Sequence, residues 1–350
     1  MMKYGLQSIL AMVLISESLG LSCLDESGKP VDRWVDLKES DNMKYQVLTG
    51  SKFVASAFNT SQTVDGNIMS TVAQLYSVDK ANVGWGMYND EPAGTDYAPG
   101  VTYAHGKGLV MIDTTTGEGF WLVHSMPEWP NPRSLPPIPF PSDQYGQSLE
   151  CLSINTATAD KVATLLQIAR PYIYDSNMPS ALADQAPNMA AWVAGGWTGK
   201  DHDTATQDLK TVGGFPFTQL VKSHYWTKDF WDDLVAPHFK MELDSETWRD
   251  GSGQRMPSIC GPSPPAPYAL PYDVYMVESV TFSNGAVIKG TQDHSKWAAG
   301  HSSSGSLSCI GDINRMCSQE SRGGGAVCQK DSSYWESFHG IITSYEDCWA

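Results

Sequence analysis

The hydrophobic pattern of this chain is dominated by short apolar runs bounded by Gly, Pro, Asn or Asp. Residues 83–88 (VGWGMY), 108–113 (GLVMID), 119–123 (GFWLV) and 274–282 (VYMVESVTF) predict strands. Residues 158–170 differ: Val162, Leu165, Leu166 and Ile168 recur at helical spacing, and Pro171 ends the pattern. Residues 217–231 and 332–344 also read as largely helical. The proline-rich stretch 127–141 (PEWPNPRSLPPIPFP) predicts an extended loop. Strands mixed with helices point to an α/β (α+β) layered fold.

The first 20 residues have the layout of a secretory signal peptide. Lys3 supplies the basic start, residues 6–15 the short apolar stretch, and Ser18 and Gly20 the small residues before a cut. The apolar stretch is too short to anchor the chain in a membrane. In an oxidising compartment the seven cysteines read as three disulfides and one spare thiol, with the pairing left open. No Cys-x-x-Cys pair suggests zinc, and no metal or other cofactor is expected. Asn59-Thr60-Ser61 is a glycosylation sequon. The formal charge of −16 should repel nucleic acid at neutral pH. Near pH 5 the eight histidines gain charge and carboxylates lose it, so a polyanionic substrate becomes compatible with an acidic chain.

One short element occurs twice. His105-Gly106-Lys107 is followed by a strand, a turn and a second strand ending in His124-Ser125. His294-Ser295-Lys296 is followed by a Ser/Gly-rich turn, an apolar run and Gly311-Asp312-Ile313-Asn314. His105 lies 20 residues before Ser125, and His294 lies 20 before Asn314. The chain therefore reads as two halves, 21–155 and 156–350, each carrying one His-x-Lys. In such an element His and Lys share a face. Two facing copies could place one imidazole to attack a phosphodiester phosphorus and another to protonate the leaving alkoxide. Lys107 and Lys296 would neutralise the non-bridging oxygens. His124, Asp312 and Asn314 are candidate phosphate-binding or supporting groups.

The words around these motifs resemble the deoxyribonuclease II family. They are residues 23–32 (CLDESGKPVD), 87–92 (MYNDEP), 105–108 (HGKG), 120–127 (FWLVHSMP), 145–148 (YGQS) before Cys151, 293–297 (DHSKW), 309–315 (CIGDINR) and 322–325 (RGGG), all in order. The resemblance runs from about Cys23 to Cys348. It implies a fold like the phospholipase D superfamily: two similar α/β halves forming a pseudo-dimer, with the active site between them. It implies endonucleolysis of DNA at acid pH without divalent cations, through a phosphohistidine, leaving 3′-phosphate and 5′-hydroxyl ends. The catalytic residues would be His105, Lys107, His294 and Lys296, with either histidine as nucleophile. The implied disulfides are Cys23–Cys151, Cys260–Cys348 and Cys309–Cys328, leaving Cys317 free. The expected partner is DNA alone, with no obligatory protein partner, in a lysosomal or secreted setting, and toxic secreted members leave a venom role open. The wider superfamily carries an Asp five residues after the Lys. Here Asp113 lies six after Lys107 and nothing acidic closely follows Lys296, so Asp312 is the candidate replacement. The competing readings are a non-catalytic secreted DNA-binding or toxin protein on the same fold, and a lipid phosphodiesterase.

Overall fold

The computed structural model describes residues 20–250, 254–261 and 271–348. Apart from Gly20, the predicted signal peptide lies outside them. Strands β1 (Cys23–Leu24) and β2 (Pro30–Val31) make a small ribbon. The first large sheet uses β3 (Arg33–Lys38), β4 (Lys44–Thr49), β5 (Lys52–Asn59), β6 (Val83–Tyr88), β7 (Lys107–Asp113), β8 (Glu118–His124), β9 (Gln147–Asn155) and β10 (Ile173–Asn177). The second uses β11 (Thr204–Lys210), β12 (Pro216–Lys222), β13 (Leu243–Glu246), β14 (Val274–Thr281), β15 (Val287–Lys289), β16 (Trp297–Gly300), β17 (Leu307–Gly311), β18 (Gly324–Lys330) and β19 (Ile342–Tyr345). Helices α1 (Gly66–Ser77), α2 (Thr156–Ala169), α3 (Ser180–Gln185), α4 (Pro187–Val193), α5 (Ala236–Phe239), α6 (Cys317–Glu320) and α7 (Ser332–His339) connect and cover them.

The strand order of the first sheet is β10-β6-β7-β8-β9-β3-β4-β5. The second runs β11-β12-β18-β17-β16-β13-β14-β15, with β19 also beside β14. After residue 155 the chain returns to add β10 to the edge of the first sheet, so that sheet draws on residues beyond the 21–155 segment. In β7 the side chains alternate. Val110 and Ile112 enter a core shared by both sheets, α2 and α7, while Leu109 and Met111 enter a second core under α1. Burial on both faces explains the unbroken apolar run GLVMID. A third core lies on the far side of the second sheet, against Phe230, Trp231 and Val235.

Two sequence expectations need correction. Residues 217–231 are not helical at their start: Pro216–Lys222 is strand β12, paired on both sides by β11 and β18. Phe217, Leu220 and Val221 serve three different cores, and two flanking ladders satisfy the backbone between them. Only Trp231–Val235 is helical, as a π-type turn leading into α5. Residues 332–344 divide. Asp331 caps α7 through Ser333 and Tyr334, the helix stops at Gly340, and Ile342–Tyr345 becomes an edge strand. The 158–170 helix is present as Thr156–Ala169, capped by Asn155.

Three disulfides are present: Cys23–Cys151, Cys260–Cys348 and Cys309–Cys328, the last between paired strands β17 and β18. Cys317 is a free thiol. The Asn59 side chain is half-buried and accepts from the Ser61 backbone N–H at 3.0 Å. No helix of the described residues is long and apolar enough to cross a membrane.

Candidate active site

Each His-x-Lys element is clasped by the opposite sheet. His105 donates its backbone N–H to the Gly323 carbonyl at 2.9 Å, and its Nδ1 meets the Asp312 carbonyl at 2.7 Å. Both partners lie in the β17–β18 connection of the second sheet. In return, the His294 N–H donates to the Gly146 carbonyl (2.9 Å), Gly146 N–H to Gln292 (2.8 Å), and Lys296 N–H to Ser148 Oγ (3.2 Å). The crossing points are close: a Cβ on Gly146 would sit 2.7 Å from Asp293 Oδ1 and one on Gly106 would sit 3.0 Å from Asp312 Oδ2, so a larger residue would displace those carboxylates. The following strand pairing is alike in both places. Lys107 opposes His124 across β7–β8, and the Gly311 N–H donates to the Lys296 carbonyl.

Asp90 is the ionic hub. Lys107 contacts its Oδ1, Arg322 Nη2 lies 3.0 Å from Oδ2, and His105 Nε2 lies 3.7 Å from Oδ2. Glu91 adds a carboxylate 3.4 Å from Lys107 Nζ. Burial alone would raise the Asp90 pKa, but Lys107, His105 and Arg322 outweigh it and hold the carboxyl well below its usual range. Its ionised form therefore stabilises the fold above the ordinary carboxylate pKa of about 3.9, and this is lost only as pH falls through the depressed value. The cluster is intact at pH 5. Asp90→Asn leaves Lys107, which is 3% exposed, facing a neutral amide. The expected cost is about 3–5 kcal/mol, read by urea denaturation at pH 7.

Burial, followed by Lys296 and Lys107, pushes His294 down to about 2. Burial is also the chief cause of the strong lowering at His105, with Lys107, Lys296 and Arg322 adding to it against Asp90. Lys296 is brought down to about 8 by burial and then by Lys107. The two motifs thus feel one another's charge. His294 Nε2 and Asp312 Oδ1 are buried with no hydrogen-bond partner. Burial raises Asp312 to about 7, against the Gly325 N–H and both lysines.

The His294 ring is stacked on Tyr145 (3.9 Å between centroids) and flanked by Trp248 (4.1 Å). Asn314 Oδ1 accepts from the Trp248 backbone N–H at 3.3 Å, so Asn314 reaches the site through this wall. His124 lies beneath Lys107 with its ring edge-on to Trp129. Neither of its nitrogens makes a well-formed hydrogen bond, and the nearby Met126 backbone offers only weak support. Burial and Lys107 lower it to about 3. The orienting contact on His105 comes from Asp312, not His124. Asp113 sits at the other end of β7, opposite Val83, far from the pair. Asp90, Glu91 and His105 could offer three ligand atoms to a metal ion, all within 4.8 Å. Lys107 and Arg322 already occupy the central carboxylate, and any metal would have to displace them.

A family model for deoxyribonuclease II matches residues 22–348. The chain belongs to the deoxyribonuclease II family. It is 33% identical to plancitoxin-1 of Acanthaster planci, covering 97% of this chain and 96% of that protein. It is 31% identical to deoxyribonuclease-2 of Caenorhabditis elegans (97% and 98% covered) and 28% identical to deoxyribonuclease-2-beta of Mus musculus (94% and 93%). Membership makes the chain a nuclease, a hydrolase. The sequence alone does not single out Asp90 as the hub or the aromatic wall of Tyr145 and Trp248. The signal for Asp90 was its place in the Tyr88-Asn89-Asp90 word. Trp248 had no local signal, because its role depends on a contact 46 residues away in sequence.

Proposed function

We propose that this nuclease cuts DNA phosphodiesters without a divalent metal, using His105 as nucleophile and His294 as general acid and base. The observation that carries this reading is the reciprocal clasp, which ties each His-x-Lys to the opposite sheet and brings both lysines to bear on both histidines. A carbonyl only accepts, so His105 Nδ1 carries the proton and Nε2 of the neutral ring holds the lone pair. Nε2 attacks phosphorus, the P–O5′ bond breaks, and His294 gives its proton to the departing 5′-oxygen. Water then attacks the phosphohistidine, His294 takes the water proton, and the N–P bond breaks to leave a 3′-phosphate. Lys107 and Lys296 stabilise the developing oxygen charge. The bound phosphate offsets their charge and so raises His294 into its protonated form, helped by the faces of Tyr145 and Trp248.

The matched strand series supports the reading of two phospholipase D-like halves. β3, β6, β7, β8 and β9 correspond in neighbour order to β12, β13, β16, β17 and β18. Plasmid DNA in excess chelator at pH 5 tests the proposal. Cutting to fragments with 3′-phosphate ends is expected, and cutting that requires added magnesium would overturn it.

An acidic, oxidising setting, lysosomal or secreted, fits the buried carboxyls. Burial raises Glu150 to about 8 and Asp232 and Asp312 to about 7, and it lifts Asp36 and Glu246 well above the usual range. A group raised on folding adds stability below its unfolded pKa and loses it as pH climbs through the folded value. The depressed histidines act oppositely only below about pH 6.5, and Lys38, Lys222 and Lys296, lowered to about 8, act oppositely mainly above that value. Melting temperature is therefore expected to rise as pH is lowered from about 7.5 to 6.5. A flat or falling trend in calorimetry would contradict these assignments.

A further inference from the structure

We propose that a row of aromatic rings beside the active site holds unpaired bases of the strand being cut; this rests on the nuclease reading above. The row begins at the catalytic elements. The Asn89 N–H, next to Asp90, donates to the Tyr172 carbonyl at 3.0 Å, and Tyr103 lies two residues before His105. Tyr172 packs against Tyr97 at 5.1 Å and against Tyr103 at 5.3 Å. The Arg170 guanidinium then lies 4.6 Å from the Tyr103 ring and 4.4 Å from the Trp197 ring, joining them. Beyond it, His224 and Tyr225 stack on Trp197 at 24° and 25°. The row ends in open rings, Tyr97 being 51% and Tyr225 55% exposed. A cavity of about 470 Å³ lies along it, lined in part by Tyr103, Arg170 and Tyr172.

Arg170 is the second, independent sign. It ends α2 in the left-handed region, at φ 63°, a position that favours glycine. The backbone conformation does not call for arginine there, whereas its side chain bridges two aromatic faces. The occupant follows from charge. A chain whose formal charge is −16 at pH 7, and which acid moves only toward zero, gains little from general attraction to a polyanion, so the flanking strand gains from a grip that is not Coulombic. Base–aromatic stacking supplies one, and it is indifferent to sequence. Paired bases have their faces covered, so the occupant is a single-stranded or frayed segment.

The test uses a single-stranded oligonucleotide carrying 2-aminopurine. In the His105→Ala background, which suppresses cutting, binding is expected to quench its fluorescence. Arg170→Gly, which suits the backbone, and the pair Tyr97→Ala with Tyr225→Ala, at exposed sites, are expected to remove the quench. Each lost stack should weaken binding roughly five-fold or more. In the cutting-competent protein the same changes should raise KM for single strands and leave kcat unchanged. Unchanged quench and KM would overturn the proposal. Quenching by an otherwise unaltered protein that never cuts would sink the nuclease mechanism and leave the platform standing.

Discussion

His105→Ala is expected to lower kcat on DNA by roughly 10⁴- to 10⁶-fold while KM changes little, because the nucleophile forms its bond only after substrate is bound. His294→Ala should cost roughly 10²- to 10⁴-fold, the usual range for general acid–base catalysis. The double variant should be no slower than His105→Ala, since the two groups act on one phosphorus in one sequence of steps. His105 is tied to the second sheet through Gly323 and Asp312, and those ties are mostly backbone, so the variants should stay folded. Circular dichroism alongside single-turnover cleavage separates lost chemistry from lost structure. Equal, modest losses in both single variants with a multiplicative double would contradict a shared reaction centre.

The pH profile should show an alkaline limb with a definite sign. His294 must carry a proton to release a 5′-alkoxide, and burial and both lysines depress its pKa. The fraction protonated falls as pH rises, so log kcat on DNA should drop with a slope near −1, about ten-fold per pH unit, above the pKa of the substrate complex. A substrate whose leaving group is a nitrophenolate needs no proton, and its limb should vanish. Asp312 takes part in the same titration. Burial raises it to about 7, against the pull of two lysines, so it is neutral at pH 5, with one oxygen unpartnered. Asp312→Asn mimics that neutral form and should leave cleavage at pH 5 within a few-fold of normal. A collapse of activity at pH 5 would show that the ionised carboxylate is needed.

Legibility in the sequence followed the range of the forces involved. β7 and β8 could be read because burial on both faces leaves an apolar run, and α2 because its apolar set repeats at helical spacing. β12 was misread because its apolar residues serve different cores, a division that exists only once β11 and β18 flank it. The His-x-Lys pairs were legible as repeated words, but nothing local says that His105 is held by Asp312 and His294 by Gly146. Those are contacts between residues 207 and 148 apart in the chain. Asp90 looks like an ordinary turn residue until Lys107 and Arg322 converge on it. Arg322 was visible only as the start of a glycine-rich word.

The most direct measurement is covalent capture. A 5′-labelled oligonucleotide bearing an activated 5′ leaving group is mixed with enzyme in chelator, and the reaction is quenched in alkaline detergent, where phosphohistidine survives. The label should travel with the protein for the unaltered enzyme and for His294→Ala, and should be absent for His105→Ala. Label retained by His105→Ala, or no covalent species from an enzyme that still cuts, would contradict the two-histidine account.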